Sequence, residues 1–310
     1  NKRLQLTNLM LQNPQVVILD NPFIGLDIAG RMKLQSALNQ LAQIGKKIIL
    51  VCNPKDFPQC ITHVALLNKG KLLNHGPKET ILEQIQSEQL TSIPTLNSSI
   101  NKLYCSNYNA FKIAVELRNV NIQYHQQYIL SDINLQIKKG EKWCIAGPNG
   151  SGKSTLLNAI AGDIKPTTGT ITIDEINPAL TPASKLSKLR AMAIQNQNYT
   201  LGFTVKQIIE MAGDSKEIIE AFALTALADR QVTTLSGGEA QRVSIATAIA
   251  QKTPVLLLDE PLAAQDIENR KRIIKLLQKL AASGTTVVLV AHSSESELTW
   301  ADKVINLYFL

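Results

Sequence analysis

At 310 residues, and with roughly 150 residues to a domain, the chain has room for two domains and a sizeable core. A hydrophobic fraction of 45% and a charged fraction of 18% exclude a disordered, collagenous or coiled-coil protein. The longest apolar runs, 255–258 and 287–291, are strand-sized and fall short of the roughly 18 residues that cross a bilayer, so any membrane role is peripheral. The net charge of +7 is uneven: residues 1–112 hold twelve of the 32 Lys/Arg but only six of the 25 Asp/Glu. These cations are scattered without interleaved aromatics, which favours a solvated surface over direct nucleic-acid binding. Cys52, Cys60, Cys105 and Cys144 form no CxxC pair and read as reduced thiols of a cytoplasmic protein.

The chain repeats itself at a fixed offset of 239. Residues 14–20, ending Val16-Val17-Ile18-Leu19-Asp20, align with 253–259, ending Val255-Leu256-Leu257-Leu258-Asp259. The same offset pairs Arg3 with Arg242, Pro22 with Pro261, Asp27 with Asp266, Arg31 with Arg270 and Gly45 with Gly284. A register held without a gap from residue 3 to residue 53 implies two copies of one domain. Asn1 falls on Ala240, so the first copy, 1–84, is expected to be the back part of a domain whose front lies upstream. The first residue is Asn rather than Met, in keeping with that expectation. Residues 85–112, rich in Ser, Asn, Gln and Thr and carrying Pro94, read as a linker. The second copy then spans 113–310.

Within the second copy the alternation at Ile113–Leu117 predicts a strand, and a further strand runs over Val120–Gln123 to Tyr124. Strand 143–146 leads into a helix over 153–161. Strand 255–258 precedes a helix over 267–282, and strand 286–291 follows. Strands alternating with helices predict a mostly parallel sheet covered by helices, with ligands beyond the carboxyl ends of the strands.

Gly147-Pro148-Asn149-Gly150-Ser151-Gly152-Lys153-Ser154-Thr155 fits G-x-x-x-x-G-K-[ST] between a strand and a helix, the context a phosphate-binding loop requires. Its glycines let successive N–H groups converge on phosphate oxygens at a helix N-terminus. Lys153 adds a point charge for the outer phosphates, and the Ser154 hydroxyl is a candidate Mg²⁺ ligand. Leu256-Leu257-Leu258-Asp259-Glu260 ends an apolar strand in two carboxylates with separable roles: Asp259 to hold Mg²⁺ and Glu260 to orient and deprotonate water. His292, after strand 286–291, is within reach of a terminal phosphate at the same sheet edge. Ser236-Gly237-Gly238-Glu239 opens a helix expected from about Glu239 to Ala250, a second anion-binding helix end. One nucleotide does not need two such cradles in a domain, so the second is expected to serve a nucleotide held by another copy.

In combination these motifs resemble an ATP-binding cassette (ABC) ATPase, over all of 113–310 and, as a truncated cassette, over 1–84. The resemblance implies the ABC-type P-loop NTPase fold, α/β with a parallel core and a helical subdomain, with ATP and Mg²⁺ as cofactors. It further implies that Tyr124 stacks on adenine and that Gln195, chosen over Gln197 for its spacing from Arg190 and Thr204-Val205, contacts Mg²⁺ and the transporter interface. Walker A is then 147–155, the signature 235–239, Walker B 255–260, Asp266 the D-loop aspartate and His292 the switch histidine. The implied role is to energise a membrane permease, importer-type, from the cytoplasmic side, with cassettes paired in one chain or between copies. A soluble double-cassette protein acting on ribosomes or DNA, or a regulatory one, is the alternative. Gly140-Glu141-Lys142-Trp143 and Gln59-Cys60-Ile61-Thr62-His63 are similar to double-cassette proteins of the molybdate-accessory or photorepair (ModF-like) type. Two features depart from the pattern. Ala264-Gln265-Asp266 has Gln where the family usually has an apolar residue, and the offset sets Asn21 and Asn53 opposite Glu260 and His292. Asparagine cannot accept a proton at neutral pH, so the first copy is expected to bind nucleotide but hydrolyse it poorly.

Overall fold

A computed structural model describes residues 14–23, 26, 28–52, 54–68, 70–89, 112–195, 197, 199–291 and 300–307. Arg3, Gly25, Asp27, Asn53, Cys105, His292 and most of the expected linker lie outside the described residues. The chain divides into two compact units, 1–95 and 96–310.

The second unit contains strands β5 (Ile113–Tyr124), β6 (Gln127–Lys138), β7 (Lys142–Ala146), β8 (Thr168–Ile173), β9 (Arg190–Ala193), β10 (Val255–Asp259), β11 (Thr286–Val290) and β12 (Lys303–Asn306). Five of them form a sheet in the order β12-β7-β11-β10-β9, every pair parallel. The strands β6-β5-β8 form a separate antiparallel sheet. Where the sequence suggests two short strands before Tyr124, β5 is continuous: Asn119 takes a left-handed φ of 47° and the pairing shifts register there, so the strand bends without breaking.

The central strands are buried on both faces, which explains why β10 and β11 read as unbroken apolar runs. Alternate residues separate the two cores. Leu256, Leu258, Val287 and Leu289 pack with helix α7 (Gly237–Ala250) and helix α8 (Ile267–Ala282). Val255, Leu257, Val288 and Val290 pack with helix α3 (Lys153–Ala161) and the antiparallel sheet. Helices α4 (Ala183–Leu189), α5 (Val205–Ala212) and α6 (Lys216–Ala221) complete the helical part. Thr204 starts α5 with a capping box in which Gln207 answers its side chain.

The first unit contains β1 (Val16–Asp20), α1 (Ile28–Gln43), β2 (Lys47–Val51), the antiparallel pair β3 (His63–Asn68) and β4 (Lys71–Pro77), and α2 (Lys78–Gln89). Helix α2 runs five residues into the stretch expected as linker. The offset of 239 is reproduced in three dimensions. Strand β1 pairs with β2 in parallel from Val16↔Lys47 to Asp20↔Val51, as β10 pairs with β11 from Val255↔Thr286 to Asp259↔Val290. Helices α1 and α8 begin and end at matching positions. Asn21 and Glu260 share a left-handed backbone, φ 46° and 49°, and donate their N–H to Val51 O and Val290 O.

Burial does not follow the repeat. Val17 and Leu19 are buried with Leu34 and Leu38 of α1, but Ile18 on the other face is 65% exposed whereas its counterpart Leu257 is fully buried. Val16, Ile49 and Val51 are likewise exposed. Both tryptophans, Trp143 and Trp300, belong to the second unit, so their fluorescence reports its unfolding. Truncating Leu257 to Ala removes core contacts and should lower the stability read by that signal by about 2–5 kcal/mol. Ile18→Ala should leave the tryptophan transition in place; urea titration of both variants checks the contrast.

Candidate active site

Residues 147–152 link β7 to α3 at the carboxyl end of the parallel sheet. Gly152, at φ 86°, is the residue before α3, and a methyl added there would stand 2.9 Å from Leu130 Cδ2 and 3.1 Å from Ile129 Cγ2. A side chain at Gly147 (φ 153°) would meet the Leu307 carbonyl at 2.3 Å and Ser151 Oγ at 2.7 Å. At these two positions the positive φ and the close neighbours favour glycine over any residue with a side chain. Lys153 is buried, and its ammonium donates to the carbonyls of Gly147 at 2.8 Å and Pro148 at 2.7 Å. The Ser151 hydroxyl is buried with no hydrogen-bond partner, in a loop whose backbone donors open a helix. A buried, unpaired hydroxyl is costly, and an anion in this cradle would satisfy it.

The two carboxylates stand apart in role. Asp259, 8% exposed at the end of β10, accepts a hydrogen bond from Ser154 Oγ at 3.2 Å. These oxygens come from residues 105 apart in sequence and make a hard-donor pair suited to Mg²⁺, which takes one or two protein oxygens and keeps its waters. Glu260 turns out of the strand in its left-handed conformation, half-buried, and its carboxylate accepts from the amide of Gln195 just beyond β9. The structure therefore gathers Gln195, Glu260, Asp259, Ser154 and the 147–155 loop at one sheet edge.

The remaining predicted residues have other partners. Tyr124 is 68% exposed at the tip of the β5–β6 hairpin, its ring edge-on to His125. The hairpin's Ile129 and Leu130 border Gly152, which sets Tyr124 on the hairpin that flanks the loop. Asp266 is the N-cap of α8: one oxygen accepts from Asn269 N at 2.7 Å and the other from Asn269 Nδ2 at 2.8 Å. Ser236 is the N-cap of α7, which starts at Gly237, two residues earlier than expected. Ser236 N donates to Glu239 Oε2 at 2.8 Å and Ser236 Oγ donates to the same oxygen at 2.9 Å. Gly237 faces open space, whereas Gly238 is pressed against Ala264 and its carbonyl accepts from Gln265 Nε2 at 2.9 Å. Gln265, a departure from an apolar position in the sequence pattern, is buried and tied to the start of α7, a contact between segments 27 residues apart that leaves no one-dimensional signal.

Desolvation opposes ionisation of Glu239, but the two donations from Ser236 and the nearby Arg230 and Arg242 outweigh it and hold its carboxyl below the usual range. A carboxylate with a depressed folded pKa contributes stability above its unfolded pKa of about 4.3 and loses it as pH falls through the folded value. Glu239→Ala should therefore cost about 1 kcal/mol at pH 7, with the gap to wild type closing at acid pH. Paired denaturation curves at the two pH values measure it.

Three comparisons bear on this geometry. A family model described as ABC transporter matches residues 130–263. The hemin import ATP-binding protein HmuV of Thermobifida fusca is 32% identical over 209 residues, covering 63% of this chain and 74% of that protein. A Methanosarcina acetivorans protein, named provisionally as an ABC transporter ATP-binding protein, is 30% identical over 310 residues and aligns with 94% of this chain, across both units. Among solved structures, the dimeric bacterial ABC transporter cassette MJ0796 superposes with a TM-score of 0.55 at 31% identity, covering 62% of this chain and 94% of that one. The chain spans 66%, 61% and 58% of the lengths of the Rhodococcus jostii, Methanosarcina mazei and Methanosarcina acetivorans relatives it matches. With the glycine cradle, the Ser154–Asp259 pair and the parallel sheet in the arrangement described, this chain belongs to the ABC transporter ATP-binding family.

Proposed function

We propose that the second unit binds and hydrolyses ATP, and that 1–84 is the back part of a first cassette joined to it through the 85–112 linker. The observation that carries the reading is the Ser154–Asp259 pair at the mouth of a glycine cradle that holds a buried lysine and an unpaired Ser151 hydroxyl. Gly147, Pro148, Asn149, Gly150, Ser151, Gly152 and Thr155 shape the phosphate cradle. Lys153, which donates to two loop carbonyls, would turn its ammonium to donate to phosphate oxygens when they arrive. Magnesium bound at Ser154 and Asp259, with Gln195 nearby, would supply charge neutralisation for the phosphates. Glu260 accepts the proton of the attacking water once its carboxylate is released from the Gln195 amide, and His292 and Tyr124 are assigned to the terminal phosphate and the adenine. The Ser236–Glu239 turn and Asp266 serve a nucleotide held by a facing cassette, in the same chain or in a second copy. The dimeric state of the MJ0796 cassette supports that arrangement.

The first unit's exposed sheet face supports its reading as part of a cassette. Val16, Ile18, Ile49 and Val51 are exposed where their counterparts are covered by α3 and the antiparallel sheet, so this face matches a missing P-loop layer. Asn21 keeps the backbone of Glu260 without its carboxylate, which supports weak hydrolysis at the nucleotide site assigned to that side. The two repeats, together with Gly140–Trp143 and Gln59–His63, fit the ModF-like double-cassette type.

Similarity to hemin import ATP-binding proteins supports an importer-energising role from the cytoplasmic face of a membrane, with a permease as partner. Among the described residues no helix is long and apolar enough to cross a membrane, so the span would come from that partner. Co-purification with a membrane protein is the expected outcome; co-sedimentation with ribosomes instead would favour the non-transport alternative. Glu260→Gln should retain ATP but lower turnover at least about 100-fold, measured by phosphate release from the full-length protein. An unchanged rate would remove Glu260, and the asymmetric pair with it, from the account.

A further inference from the structure

Gln265 lies in the turn between Glu260 and α8, and it is only 5% exposed. A buried primary amide is costly unless hydrogen-bonded, and its Nε2 donates to the carbonyl of Gly238 at 2.9 Å. Gly238 is the second residue of α7, in the turn that offers its N–H groups to an anion. Contact there is already close, since a methyl on Gly238 would stand 2.7 Å from the Ala264 carbonyl.

The segment carrying Gln265 is fixed at both ends. Glu260 N donates to Val290 O and Ala263 N to Glu260 O, each at 3.1 Å, while Asp266 caps α8. Arg270 Nε donates to Gln265 O at 3.2 Å. The backbone of this turn recurs in the first unit. At the matching position Leu26 is buried, and Arg31 Nε donates to Leu26 O at 3.1 Å, so the backbone arrangement recurs. Leucine has no side-chain donor, so a side-chain tie of this kind is particular to the second unit's residue.

We infer that Gln265 is a positioning residue that locks the Ser236–Glu239 turn to the loop following Glu260. The hydrolytic site of this unit and the signature turn it presents to a facing cassette then move together. The inference rests on the cassette pairing proposed above and adds a specific residue that couples its two halves.

The test replaces Gln265 in the full-length protein by Leu, the first unit's own residue, and separately by Met, which keeps the length without the donor. Steady-state hydrolysis of MgATP and thermal unfolding are measured for each. Expected are a kcat about three- to tenfold lower, the size of one lost hydrogen bond, and a KM for ATP within about twofold of wild type. This split marks an interaction used after nucleotide binding. The unfolding midpoint should stay within about 4 °C. A wild-type kcat in both variants overturns the inference, as does a fall in kcat matched by a rise in KM or by a larger loss of thermal stability. Hydrolysis that survives Lys153→Ala in a protein with Gln265 intact would instead overturn the proposed function, so the two failures are told apart.

Discussion

Burial of β10 on both faces is the constraint on which the rest depends. Once Val255–Leu258 are covered by α7 and α8 on one side and by α3 on the other, the first polar residues have one place to go, the carboxyl end of the sheet. The β7–α3 loop emerges at the same edge because β7 and β10 are parallel to β11 between them. The approach of Ser154 to Asp259 is therefore a product of strand direction and core packing, and the chemistry at that edge inherits its precision from apolar residues that never touch the ligand.

The two repeats separate backbone geometry from chemistry. The β1–β2 register, the α1 boundaries and the left-handed residue after the strand all recur in the first unit. What changes is the side chain displayed on that scaffold: Asn21 for Glu260, Leu26 for Gln265. The same backbone therefore carries different side chains in the two units, and the chemistry each site can do follows from the side chain and not from the backbone.

Much of this was legible in the sequence because it is written in local pattern. Helix 267–282 and the glycine loop follow from pattern and spacing, and the alternation of short strands with helices implies a parallel sheet covered by helices. The bend of β5 at Asn119 was not legible, since a single left-handed residue leaves the alternation on either side intact. Nor were the Gln195–Glu260 and Gln265–Gly238 hydrogen bonds, which join segments distant in sequence and depend on how α7, β9 and the post-strand turn pack together. The capping role of Asp266 fits its local sequence, with Asn269 three residues on, but the D-loop resemblance drew attention to a different role.

The central claim is that residues 147–155 hold a triphosphate with Lys153 bearing on its charge. Calorimetric titration of the protein with MgATP, beside Lys153→Ala, tests it most directly. The account predicts saturable binding by the wild type and its loss in the variant; equal heats and affinities for the two proteins, or no binding by either, would contradict it.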